Sequence, residues 1–155
     1  MKVIKGYGPG PQQNEIIFME NNLGVKFPQE FINCIKQCDQ GIPEKDYFKL
    51  INPETNQQTS SFVGGFISFN SCNKNNILRT YFTQPVFFPK LLLPFAEVGD
   101  GDLICFDYSI GGLEDTNPPV VYWFSHNSEG KEMADIAINF EEFLNKLEPE
   151  EETDF

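Results

Sequence analysis

The stretch at residues 91–109, "LLLPFAEVGDGDLICFDYS", constrains the fold more than any other part of the chain. Two apolar segments flank Gly99-Asp100-Gly101-Asp102. An Asp-Gly pair between apolar runs is a strong hairpin signal, because glycine adopts positive φ without a Cβ clash. The pattern predicts strands over 95–98 and 103–108, paired antiparallel across a short turn. Pro85, Pro89 and Pro94 punctuate the approach to this hairpin. Proline cannot donate to a ladder, so residues 91–93 are not expected to form a long central strand.

The two ends of the chain have helical periodicity. Ile16, Ile17, Met19 and Leu23 predict a short amphipathic helix near 13–22, with Gly24 at the left-handed position beyond its end. Pro28 suits the first turn of a second helix, where its missing N–H costs nothing. Phe31, Ile32, Ile35 and Cys38 form that helix's apolar stripe, and Gly41 and Pro43 close it. Asn139 is a good N-cap for a final helix, and Glu142 three residues later completes a capping-box pattern. Phe140, Phe143, Leu144 and Leu147 line one face of that helix.

Between the helices the period shortens. Residues 47–51, 62–69, 120–125 and 133–138 read as strands, with Gly64-Gly65 marking a bulge in the second. Residues 1–11 read as irregular, 52–61 as a polar loop, 76–82 as a short helix and 109–119 as a long acidic loop. The fold class that follows is α+β. A mostly antiparallel sheet carries helices at the N- and C-terminal ends.

At 155 residues the chain suits a single domain over 1–147, with 148–155 as an acidic tail expected to be disordered. Sixteen Phe and 40% apolar residues can fill a core without a disulfide or metal staple. The net charge is −12, and the tail holds five of the acids, so the body is acidic as well. The bases are Arg79 and ten scattered Lys. Such a chain repels nucleic-acid backbones and anionic membrane surfaces, and attracts a basic partner. No apolar run approaches the roughly 20 residues that span a bilayer. Residues 1–6 carry charge without a following apolar run, so no secretory signal is expected and the expected location is the cytoplasm. The four Cys then read as free thiols. Cys34 and Cys38 are expected in the core, since zinc would need two more ligands and the sole histidine, His126, lies far along the chain.

No nucleophile elbow, P-loop or dinucleotide fingerprint occurs. His126 follows a strand and precedes a turn, with nothing adjacent to mark it as a base. Asp100, Asp102 and Asp107 admit three readings: a metal site, a turn and hydrogen-bonding role, or an acidic surface facing a partner. A calcium loop needs acids at alternate positions, a central glycine and a closing Glu. Here Leu103-Ile104-Cys105-Phe106 follows instead, which favours a strand. Paired carboxylates for glycoside hydrolysis need only be near in space, so a hydrolase stays among the alternatives. Trp123, the one tryptophan, alternates with Val121 and reads as core.

Taken in order, three segments resemble the Smi1/Knr4 superfamily, also called SUKH. "LGVKFPQEFINCIKQCDQGIP" (23–43) is similar to its opening, where a Leu-Gly stretch precedes a Pro-initiated helix and a glycine stop. "LLLPFAEVGDGDLICFDYS" is similar to its central strand, Gly-Asp turn and strand ending in Asp. "PPVVYWFSHNSEGKEMADIAINFEEFLNKL" (118–147) is similar to its closing Val-Tyr strand, polar turn and Phe-rich helix. Two features depart from it: Asp39-Gln40-Gly41 stands where many members have Asn-Gly-Gly, and 48–90 carries none of the pattern.

The resemblance implies an α+β domain with no established catalytic activity, and no metal or cofactor is expected. Bacterial members are often immunity proteins against toxin domains, commonly nucleases, and fungal relatives are interaction scaffolds in cell-wall signalling. The expected function is therefore stoichiometric occlusion of a basic toxin. Asp100, Asp102, Asp107, Glu114 and Asp115 would face the partner, with Tyr108 as an aromatic anchor. The alternatives are a scaffold without a toxin and a carboxylate-dependent hydrolase.

Overall fold

The protein is represented by a computed structural model that describes residues 3–149, with side chains described from Gly6 onward. In chain order the elements are β1 (Val3–Lys5), α1 (Gln13–Leu23), α2 (Gln29–Ile35), β2 (Ile42–Pro43), β3 (Tyr47–Asn52), β4 (Gln57–Phe62) and β5 (Gly65–Phe66). They continue with α3 (Ile77–Phe82), β6 (Leu92–Gly99), β7 (Asp102–Asp107), β8 (Val120–Trp123), β9 (Met133–Ala137) and α4 (Phe140–Lys146). Strands β5-β6-β7-β8-β9 form an antiparallel sheet in that order, and β1–β2 and β3–β4 are separate antiparallel pairs. The fold is α+β, as the periodicity predicts.

The sheet is buried on both faces, and the alternation of side chains sorts its residues. Ile104, Phe106, Val120 and Tyr122 face the helices, while Leu103, Cys105, Val121 and Trp123 face the other way. On the helical face Phe31 of α2 is the hub, with ring centroids 5.3 Å from Phe95, 5.2 Å from Phe106 and 5.4 Å from Phe140. Phe95 and Phe106 stack across β6 and β7 at 4.1 Å. Aromatic pairs of this kind add roughly 0.5–1.5 kcal/mol each beyond the area they bury. On the opposite face, Phe88 covers Trp123 from a segment outside the sheet, centroid to centroid 4.8 Å.

Several local features differ from the sequence reading. Residues 91–93 contribute Leu92 and Leu93 to β6, an eight-residue strand with Pro94 inside it. The proline is accommodated because β5 pairs only with Ala96 and Glu97, and the β6–β7 register slips between Pro94 and Ala96. The polar segment 52–61 is mostly strand rather than loop: β4 pairs with β3 along its whole length. Phe62 ends β4, so the expected strand 62–69 shrinks to the two residues of β5. Helix α2 stops at Ile35, which leaves half-buried Cys38 outside it. Val3–Lys5 pairs with β2, giving the N-terminal segment one ordered strand. Glu148, the first residue of the expected tail, bridges to Tyr47. The remainder of that tail, 150–155, lies outside the described residues. No helix among the described residues is long and apolar enough to cross a membrane.

Candidate functional site

The β6–β7 turn fixes the first group of acids. Asp100 and Gly101 have φ of 54° and 85°, the pair of positive values that a type I′ hairpin turn requires. Asp102 is occupied by the fold. Its Oδ2 accepts from the Tyr122 hydroxyl at 2.8 Å, and its Oδ1 accepts from the Ser125 N–H at 2.9 Å. The Ser125 hydroxyl lies 3.0 Å from both Asp102 Oδ1 and the Asp100 carbonyl, and His126 Nε2 donates to that carbonyl at 2.8 Å. Tyr122 in turn accepts from Ser61 Oγ at 3.0 Å. One carboxylate thus ties β7, β8, β4 and the loop after β8 together. Burial pushes the Tyr122 phenol well up, a shift that Ser61 opposes and Asp102 reinforces. The Asp100 side chain is left exposed at the tip.

The second group lies at the other end of β7, about 17 Å away at roughly 3.3 Å per residue. Asp107 is only 5% exposed, and its Oδ1 accepts from the Ser109 N–H at 2.9 Å and from Ser109 Oγ at 2.5 Å. Tyr108 is 1% exposed, and its hydroxyl donates to the Lys26 carbonyl at 2.9 Å. Both therefore face inward and close the core at the end of β7, whereas the sequence reading has them facing a partner. Burial pushes the Tyr108 phenol far up, with the charges of Asp115 and Glu20 acting in the same direction. Glu114 is exposed, and half-buried Asp115 accepts from the Asn117 N–H at 2.9 Å. The six residues thus divide into Asp100 with Asp102 at one end, Glu114 with Asp115 at the other, and two core residues between. Among the described residues no group of three or more His, Cys, Asp or Glu could hold a metal ion.

The other buried acids hold loops. Asp39 accepts from Ser68 Oγ at 2.5 Å and from the Phe69 N–H at 3.0 Å, and Glu20 accepts from the Phe27 N–H at 2.8 Å. The thiols divide by burial. Burial pushes Cys34 up to about 11 and Cys105 well above its ordinary value, whereas Cys72 is exposed.

A group of exposed apolar side chains lies in the Pro-rich segment after α3. Residues 83–91 form a strap across the Trp123 face of the sheet. Phe88 points inward onto Trp123, while Val86 is fully exposed and Phe87 is 75% exposed. Phe82, at the end of α3, is 66% exposed. Phe82, Pro85, Val86, Pro89 and Lys90 line a cleft of about 460 Å³. The Tyr81 hydroxyl donates to the Lys90 carbonyl and closes the strap. Leu91 and Leu113 line a small hollow with Tyr81 and Lys90, which sets the strap beside the acidic loop 109–119. The available sequence signal was "PVFFP", three large apolar residues held between prolines in a segment with no periodicity.

The sequence model of the SMI1 / KNR4 family (SUKH-1) matches residues 10–146, a span running from α1 to the end of α4. The chain belongs to the SMI1/KNR4 family. A comparison with curated proteins returned no match. In this SMI1/KNR4 domain the Gly-Asp turn is the β6–β7 hairpin, and the closing segment supplies β8, β9 and α4. All of the strap but Leu91 falls in the stretch, 48–90, that carries none of the quoted family pattern.

Proposed function

We propose that this SMI1/KNR4 domain is a non-catalytic protein-binding module. On this reading it is an immunity protein that acts in the cytoplasm and neutralises a toxin by covering it one to one. The observation that carries the reading is the division of roles among the acids. Asp102 and Asp107 accept hydrogen bonds that hold the chain, while Asp100 and Glu114 stay exposed on a chain of net charge −12. Exposed carboxylates on an acidic body speed the capture of a basic surface and disfavour acidic ones. A toxin that degrades nucleic acid needs a basic cleft to hold its substrate, and occupying that cleft blocks the substrate without any chemistry on the toxin. Membership of a family whose domains are commonly immunity proteins supports the same reading.

The test is co-expression with a candidate toxin domain, sought first among the genes next to this one. Growth should be restored only when the immunity chain is made in at least equal amount. Rescue by a small fraction of an equivalent would indicate turnover and overturn the proposal, and so would continued killing at excess.

A further inference from the structure

The strap is the surface whose chemistry most needs a partner. Phe82 and Val86 stand exposed on one cleft, with Phe87 exposed beside Val86 in the chain, and clustered exposed apolar side chains mark interaction sites on soluble domains. The strap is also held in place before any partner arrives. Phe88 locks against Trp123, Pro85 and Pro89 restrict the backbone on either side, and Tyr81 ties off the end at the Lys90 carbonyl. A surface ordered in advance loses little entropy on binding.

Charge narrows the occupant. Lys90 is the one charged residue lining the cleft, so the cleft itself suits an uncharged apolar side chain. Just beyond it, past the hollow that Leu91 and Leu113 both line, loop 109–119 offers Glu114 and Asp115 and no base. A second copy of this chain, at net charge −12, would be repelled, as would nucleic acid or an anionic membrane. We infer that the strap is the docking face, and that it takes a basic protein which places an apolar side chain in the Phe82–Val86 cleft and Lys or Arg against Glu114 and Asp115. This rests on the immunity reading and names the face that performs it. The apolar anchor supplies most of the affinity and the acids supply rate and selectivity.

The test uses the full chain, 15N-labelled, and a short synthetic peptide with a central tryptophan flanked by lysines. Two controls carry glutamates for the lysines, or glycine for the tryptophan. The basic tryptophan peptide should shift the amides of 82–91 and 113–115, saturably. Both controls, and the double variant Val86→Ser with Phe87→Ser, should bind about tenfold more weakly. Because both substituted side chains are exposed, amide shifts elsewhere should be unchanged, which reports that the variant is folded. Glu114→Gln should weaken binding severalfold and reduce its sensitivity to salt. The inference is overturned if the shifts fall elsewhere, if either control or the double variant binds as well, or if millimolar peptide produces no shift. Its failure is separable from that of the immunity reading. Neutralisation that survives in the double variant removes this face and keeps the toxin, whereas mapped peptide binding without neutralisation keeps the face and removes the toxin.

Discussion

The Tyr122 hydroxyl donates to Asp102 Oδ2 across 2.8 Å, at the centre of a chain that runs from Ser61 through Tyr122 and Asp102 to Ser125. An acid with both oxygens engaged in this way holds the hairpin against its neighbours. Asp102→Ala leaves the Tyr122 hydroxyl and the Ser125 N–H without their acceptor. It should cost about 1–3 kcal/mol in urea unfolding. Asp100→Gly should change stability by less than about 0.5 kcal/mol, because φ of 54° suits glycine and the side chain is exposed. Equal stability of the two variants would contradict this division.

Phe88→Ala should uncover Trp123 and leave a cavity on the outer face of the sheet. The expected loss is about 3–5 kcal/mol, with the sole tryptophan's emission moving to the red in the folded state. Val86→Ala, at a fully exposed position two residues away, should leave both stability and emission unchanged. An unshifted spectrum in Phe88→Ala would mean that the strap is not pinned through this pair.

Thiol labelling should sort the cysteines by burial. Cys72 is exposed and should react first with a thiolate-selective reagent. Cys34 and Cys105 are buried with raised pKa values and should react only on unfolding. Fast labelling of Cys105 in native buffer would place the β7 core in contact with solvent.

Alkaline pH should weaken the fold, and the sign follows from burial. Cys34, Cys105, Tyr108 and Tyr122 all hold their protons more tightly when folded. Above the ordinary thiol value of 9.0, and then above the ordinary tyrosine value of 10.0, the unfolded chain binds fewer protons than the native one. Their contribution is fully present below about pH 9 and is lost as pH rises beyond it. Tyr108→Phe gives up the hydrogen bond to Lys26, about 1 kcal/mol at neutral pH. In exchange its stability should fall less steeply above pH 10, as unfolding midpoints at several pH values would show. Stability rising with pH in that range would contradict the assignment.

The elements legible in the sequence are those whose burial follows one clear period. Helix α4 shows its apolar stripe and its Asn139 cap, whose side chain accepts from the Glu142 N–H at 2.9 Å. The β6–β7 turn shows Asp-Gly. Strand β4 was hidden because "QQTSSF" has almost no apolar pattern. Its inward residue Ser61 is held by a hydrogen bond to Tyr122, sixty-one positions away. Residues 91–93 read as non-strand because Pro94 normally excludes a central strand, and the shortness of β5 makes room for it. The same limit applies to the site. Tyr108 looks like a surface aromatic at the end of a strand, and its burial depends on the Lys26 carbonyl, which no local pattern brings near. Asp107 and Asp102 look alike in sequence, yet one sits in the core edge and the other in the hairpin network. The exposed strap lacks periodicity altogether, so its sequence carries no helical or strand signal.

The central claim is that this acidic domain acts by fitting against another protein, with its exposed carboxylates as a docking surface. The most direct measurement is calorimetric titration of a purified candidate toxin domain with the full chain at increasing salt. The expected result is one-to-one binding that weakens steadily as salt rises and leaves the toxin chemically intact. Absence of binding, inactivation of the toxin at a small fraction of an equivalent, or affinity indifferent to salt would contradict it.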